Sequence, residues 1–280
     1  MAFAFARQSA LLAAALLVST ASSALANTVT AKFTGPDTSR GQNVTVNFMN
    51  SFAGETTYTS TTVFAGALNW TTVGSGLGWS TSLFPTPATF QTFCIEFTQN
   101  ITTNQTVTYQ IENLAAAPKP FGNPPGNPGS PGMGGQNGLG TTRSKDTLIR
   151  QLFNEFGDSL GTTKAKWAAF QVAIWKIVFE TNTVSHAGGF TDVTQGNFQI
   201  NPSATAVVSH ANSFLSFLVA NPGEPLRNGL HAFTNDSAQD QVFLDNLTPA
   251  SSSPVVPVPT AAAAGLALMG GLGVRRLRRD

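Results

Sequence analysis

Cys94 is the only cysteine in a chain of 280 residues. Residues 1–26, with Arg7 ahead of an apolar run from Ala10 to Val18, read as a secretory leader, and exported proteins normally carry cysteines in pairs, so a lone thiol needs another use. It lies in the strand-like run Thr92-Phe93-Cys94-Ile95-Glu96-Phe97. Period-two alternation puts Phe93, Ile95 and Phe97 on one face and Thr92, Cys94 and Glu96 on the other, so something else must cover the sulfur. Gln171 is the second oddity. Trp167, Ile174 and Trp175 stand four before, three after and four after it, which sets an amide inside the apolar stripe of a helix. Buried without partners, such an amide costs about 1–3 kcal/mol. One reaction accounts for both residues: the Cys94 sulfur attacks the Gln171 side-chain carbonyl, ammonia leaves, and an internal thioester joins strand to helix.

The pair of segments Phe93-Cys94-Ile95-Glu96 and Gln171-Val172-Ala173-Ile174-Trp175 resembles the thioester domains of bacterial surface adhesins. There an aromatic-Cys motif on a strand precedes a Gln-x-Ala-Ile/Val-Trp motif on a helix. The resemblance spans roughly residues 30 to 247, and only these two motifs are specific. Phe170 stands where that family commonly has Thr before the Gln. The resemblance implies a covalent capture device without a cofactor: a nucleophile on a surface protein or polysaccharide, such as a lysine amine, attacks the Gln171 carbonyl and displaces the Cys94 thiolate. Each molecule reacts once, so the protein would be a reagent and not an enzyme. The chemistry requires shielding from water, for which Phe93, Trp167, Phe170 and Trp175 are the candidates, and donors for the developing oxyanion, which the sequence does not identify.

Other readings of these residues exist. Cys94 can be a buried small hydrophobe, and Gln171 can cap the free backbone groups of a neighbouring strand. A cysteine hydrolase would pair Cys94 with His186, His210 or His231, none of which lies in a recognisable nucleophile-base context. Three scattered histidines and one cysteine make no metal spacing, and Asp236, Asp240 and Asp245 read as loop and strand-end residues in preference to calcium ligands. The six Asn-x-Ser/Thr sequons, beginning at Asn43, Asn69, Asn100 and Asn104, read as by-products of an Asn- and Thr-rich surface.

The elements that must position this pair can be read from periodicity. Val29–Phe33, Val44–Phe48, Thr57–Phe64, Phe90–Phe97 and Val107–Glu112 predict strands. Residues 118–140 contain six Pro and eight Gly among 23 positions and predict a flexible excursion. Helices are expected over Asp146–Phe156, Lys164–Glu180 and Ala204–Ala220, followed by a strand over Asp240–Asn246. A late strand must pair with early ones, so the helices read as an insertion. The fold expected is α+β: an antiparallel β-sandwich or barrel with an inserted helical lobe of about three helices, over residues 27–253.

Both ends read as addresses. Residues 1–26 have Arg7, an apolar run from Ala10 to Val18 and the small-x-small site Ala24-Leu25-Ala26, as a signal peptide does. Residues 254–280 carry Pro257 and Pro259, fifteen small or apolar residues, then Arg275, Arg276, Arg278 and Arg279. That layout stops in the inner membrane with its basic end in the cytoplasm. It resembles the PEP-CTERM sorting tail of bacterial exported proteins, with Val258 in place of the usual acidic residue, and implies an exosortase-like processing enzyme. Without these ends the body holds 10 basic and 13 acidic residues, so it has no electrostatic footprint for nucleic acid. The expectation is an exported protein of the cell surface or extracellular matrix that adheres covalently. The alternative is a passive matrix component that binds without a thioester.

Overall fold

A computed structural model describes residues 28–48, 57–73, 88–95, 100–117, 143–180 and 189–244. The signal peptide, the 118–140 excursion, His186 and the sorting motif fall outside the described residues. Seven strands and three helices follow in the order β1 (Thr28–Phe48), β2 (Thr59–Thr72), β3 (Thr89–Cys94), β4 (Thr106–Asn113), α1 (Lys145–Phe156), α2 (Lys164–Phe179), β5 (Phe198–Ile200), α3 (Thr205–Ala220), β6 (Leu230–Thr234) and β7 (Gln241–Leu244). All pairings are antiparallel, and six strands close a ring, β1-β2-β3-β7-β6-β4 and back to β1, while β5 adds to the far half of β1. The helices lie in the chain between β4 and β6, and the late β7 pairs with β3. The protein is thus α+β, an antiparallel sheet closed into a barrel with a helical insertion.

Two predicted strands, Val29–Phe33 and Val44–Phe48, are one strand. β1 runs through both, with register shifts between Phe33 and Gly35 and between Pro36 and Gly41. Those bulges bend it, so its first half pairs with β4 and the end of β2, and its second half pairs with the start of β2 and with β5. At the bend Gly41 faces Gly66, whose φ is +147°, and a Cβ on either would collide with the other's backbone. β5 and β6 have no counterpart in the expected elements; both are short, at three and five residues.

Two cores flank β3. Inside the barrel, Trp70 packs on Phe33, Phe90 and Tyr109 with ring centroids 5.1, 6.5 and 5.5 Å apart, and Phe233 closes on Phe90 and Tyr109. Outside it, the helices pack on the long β1–β2 ribbon and on β3. α2 is buried on every side from Ala168 to Phe179, where periodicity had suggested a single apolar stripe. The reason is its central position: the ribbon covers one side, and α1 and α3 cover others. Among the described residues no helix is long and apolar enough to cross a membrane.

Candidate functional site

β3 and β2 run side by side only as far as the pair Thr92–Leu68. Beyond it β2 turns away through Ala67, Gly66 and Ala65 to follow β1, and the two strands fork. Cys94 is the last residue of β3, not a mid-strand residue, because the β2 ladder that would continue the strand has already left. On its other side it still pairs with Gln241 of β7, and the Ile95 N–H donates to the Asp240 carbonyl at 3.0 Å. In an antiparallel ladder the N–H and C=O of one residue point to the same side. Those of Cys94 therefore point into the fork.

Gln171 fills it. The Cys94 N–H donates to Gln171 Oε1 at 2.9 Å, and Gln171 Nε2 donates to the Cys94 carbonyl at 2.7 Å. The side-chain amide of a helix residue thus replaces the β2 backbone that the fork took away. Both residues are shut from solvent, with Cys94 3% and Gln171 1% exposed. Small residues accompany the close approach of helix and strand: Ala65 and Ala67 of β2 and Ala168, three residues before Gln171 on α2, are all fully buried. The amide carbon, carbonyl oxygen and amide nitrogen of Gln171 are consequently arrayed around one residue, and that residue bears the thiol.

Alternation along β3 holds, with a consequence the sequence did not supply. Phe90 and Thr92 face the barrel, since Phe90 stacks on Trp70 and Thr92 accepts from Trp70 Nε1 at 2.8 Å. Cys94, two residues on, faces the barrel as well. What covers the sulfur is the barrel interior. Polar groups run beside it: Thr92 Oγ1 donates to Gln241 Oε1 at 3.0 Å, and Gln241 Nε2 donates to the Gln239 carbonyl at 3.0 Å. Gln241 is fully buried and directly opposite Cys94.

Phe93 takes the opposite face and enters the helical core. Its ring lies 5.0 Å from Phe170, 5.7 Å from Phe153 and 6.0 Å from Trp167, the last nearly parallel at 9°. Three of the four expected shielding residues therefore form one cluster on the helix side of the fork. Trp175, one turn after Gln171 on α2, is buried and packs 6.2 Å from Phe198 of β5. The Trp167 ring is anchored by Nε1 donating to the Gly161 carbonyl at 2.8 Å, and the Arg40 guanidinium lies over it at 5.1 Å. Two features of the site escaped the sequence: the Cys94 N–H as a donor to the carbonyl oxygen, and the Arg40 corner of β1. The first is a backbone group whose orientation depends on ladder parity. The second comes from a bulge more than fifty residues away in the chain.

His210 lies half-buried on α3, and His231 stacks on Phe243 at 5.4 Å. Asp240 accepts from the Asn235 N–H at 2.9 Å in the β6–β7 turn; burial pushes its carboxyl up to about 7 against that bond, with Glu112 and Asp236 adding to the rise. Among the described residues no three His, Cys, Asp or Glu side chains are grouped to hold a metal ion. Set against known proteins, the chain matches no family model, no curated protein and no solved structure, so what the fork can do is read from its own geometry.

Proposed function

We propose that Cys94 and Gln171 condense to an internal thioester and that the exported protein uses it once, to attach itself covalently to a nucleophile on a surface protein or polysaccharide. The observation carrying this reading is the two-point clamp of the Gln171 amide on the backbone of Cys94. In the forming step a bond grows between Cys94 Sγ and Gln171 Cδ, the Cδ–Nε2 bond breaks, and the thiol proton departs with the nitrogen as ammonia. The Cys94 N–H, already on Oε1, is placed to stabilise the oxyanion of the tetrahedral intermediate. In the capture step the target nitrogen bonds to Cδ, the Cδ–Sγ bond breaks, and the nitrogen's proton passes to the sulfur. Burial of both residues supports the reading, because a thioester must be kept from water until it meets its target. The Phe93, Trp167 and Phe170 cluster supplies that exclusion on the helix side. Under the same reading the leader exports the chain, and the tail holds it in the inner membrane until an exosortase-like enzyme processes it.

The clamp also favours a second reading. An amide that satisfies both backbone groups of a strand end has a structural role without any reaction, and such a protein would be a passive component of the matrix. Intact mass of residues 27–253 separates the two. The thioester reading expects the sequence mass less one ammonia, and methylamine then adds its own mass. The full sequence mass, with a thiol that titrates with a maleimide after denaturation, rejects the thioester and leaves the passive reading.

A further inference from the structure

The two bonds of the clamp have different fates in the proposed reaction. Gln171 Oε1, which accepts from the Cys94 N–H at 2.9 Å, stays on as the thioester oxygen. Gln171 Nε2, which donates to the Cys94 carbonyl at 2.7 Å, is the atom that departs as ammonia. The sulfur that replaces it on Cδ carries no hydrogen. Closing the thioester therefore takes from the Cys94 carbonyl the donor that Gln171 supplies, at a place where both residues are shut from bulk water. That carbonyl belongs to the peptide group between Cys94 and Ile95, whose N–H donates to the Asp240 carbonyl at 3.0 Å. In the amide state this peptide group, at the end of β3, is held by α2 on one side and by the residue before β7 on the other.

We infer that forming the thioester releases this peptide group from α2 and that capture does not restore the hold, so the two-point clamp belongs to the unreacted amide alone. The inference rests on the thioester reading and adds a conformational step to it: the end of β3 loosens when the site is armed, which gives a buried bond its opening. Geometry decides the captured state. The N–H and C=O of one strand residue point the same way, so a single amide can serve both only with the hydrogen that lies on the same side of its C–N bond as the oxygen. After capture by a primary amine the amide is secondary. Its trans form puts the substituent of the nitrogen in that position and turns the remaining hydrogen to the opposite side. The cis form that would free the position is strongly disfavoured. Water in place of the amine leaves a carboxylate, which has no hydrogen to donate at neutral pH. Ammonia rebuilds the primary amide and the clamp with it: its nitrogen bonds to Cδ, the Cδ–Sγ bond breaks, and one of its protons passes to the sulfur.

The test labels the exported chain with carbon-13 at the cysteine carbonyl, which marks a single atom because Cys94 is the only cysteine. Intact mass identifies four forms: the thioester, the ammonia-treated amide, the methylamine adduct and the hydrolysed acid. A carbonyl that gains a hydrogen bond resonates at lower field, so the ammonia-treated form should lie downfield of the other three. Exchange of the Ile95 N–H should be about two- to tenfold slower in that form than in the methylamine adduct, the scale of one net hydrogen bond. A thioester or a methylamine adduct that matches the ammonia-treated form in both readouts overturns the release while the thioester stands. A chain isolated at its full sequence mass, to which methylamine adds nothing, overturns the thioester and the release together.

Discussion

Five residues apart on α2, Gln171 and Lys176 are both polar and both fully buried, and the fold treats them differently. Lys176 is surrounded by acceptors: Glu180 Oε2 at 2.5 Å, the Gln195 carbonyl at 2.5 Å and the Phe198 carbonyl at 3.2 Å. Glu180 in turn accepts from the Asn197 N–H at 3.2 Å. Burial lowers the Lys176 pKa, and Glu180 opposes the shift through charge and hydrogen bonding. Every partner there is inert, and the result is a rivet between α2 and β5. Gln171 spends its two bonds on a single residue that also carries the chain's only thiol. One buried polar group is thus tied to inert carbonyls and a carboxylate and the other is set against the residue that bears the thiol, while burial is the same for both.

Removing one half of the rivet should have the largest effect. Glu180→Gln keeps the shape but leaves the Lys176 ammonium in an apolar setting with uncharged partners, which should cost about 3–5 kcal/mol in urea unfolding. The comparison predicts that whatever fraction folds still loses ammonia, because the fork lies a full turn and more away. A folded Glu180→Gln protein at the unreacted mass would mean that the two regions are coupled.

The fork itself separates stability from chemistry. Gln171→Leu leaves the Cys94 N–H and C=O facing an apolar side chain in the fork, for a loss of about 1–3 kcal/mol per orphaned group. Cys94→Ser preserves both backbone bonds and buries a hydroxyl in place of the thiol, so its cost in stability should be about 0.5–2 kcal/mol, below that of two orphaned groups. Both variants should show the full sequence mass less nothing. A Cys94→Ser protein as unstable as Gln171→Leu would indicate that the covalent bond, not the clamp, holds the fork together.

How far this site could be read in advance follows from the range over which its parts act. The thiol and the amide are single residues whose oddity is local: one unpaired cysteine, and one amide among Trp167, Ile174 and Trp175. Their helix and strand announced themselves by period, as did the insertion of helices ahead of a late strand. The fork did not, because it depends on where β2 stops following β3, and that is decided by the Gly41–Gly66 approach and the bulges of β1. Short β5 and β6 lack enough residues for a period. The full burial of α2 is likewise a property of what surrounds it; Lys176 argues locally for a solvent-facing side, and only Glu180 and the 195–198 backbone make its burial tolerable.

A third buried polar group against α2 gives the smallest effect at neutral pH and the finest test. Lys145 donates from Nζ to the Val178 carbonyl at 2.5 Å, in the last turn of the helix where carbonyls lack intrahelical donors. Burial pushes its pKa from 10.5 down to about 8, with Glu180 acting in the opposite direction. Between those two values the unfolded chain binds a proton that the folded protein does not, so stability should rise as pH increases from about 8 to 10.5. Lys145→Met should flatten that rise in melting temperature. Glu180 opposes the shift of both lysines, so in Glu180→Gln the rise should begin at a lower pH than in the wild type. An onset that does not move would separate Lys145 from the rivet and leave Lys176 as the only lysine that Glu180 holds charged.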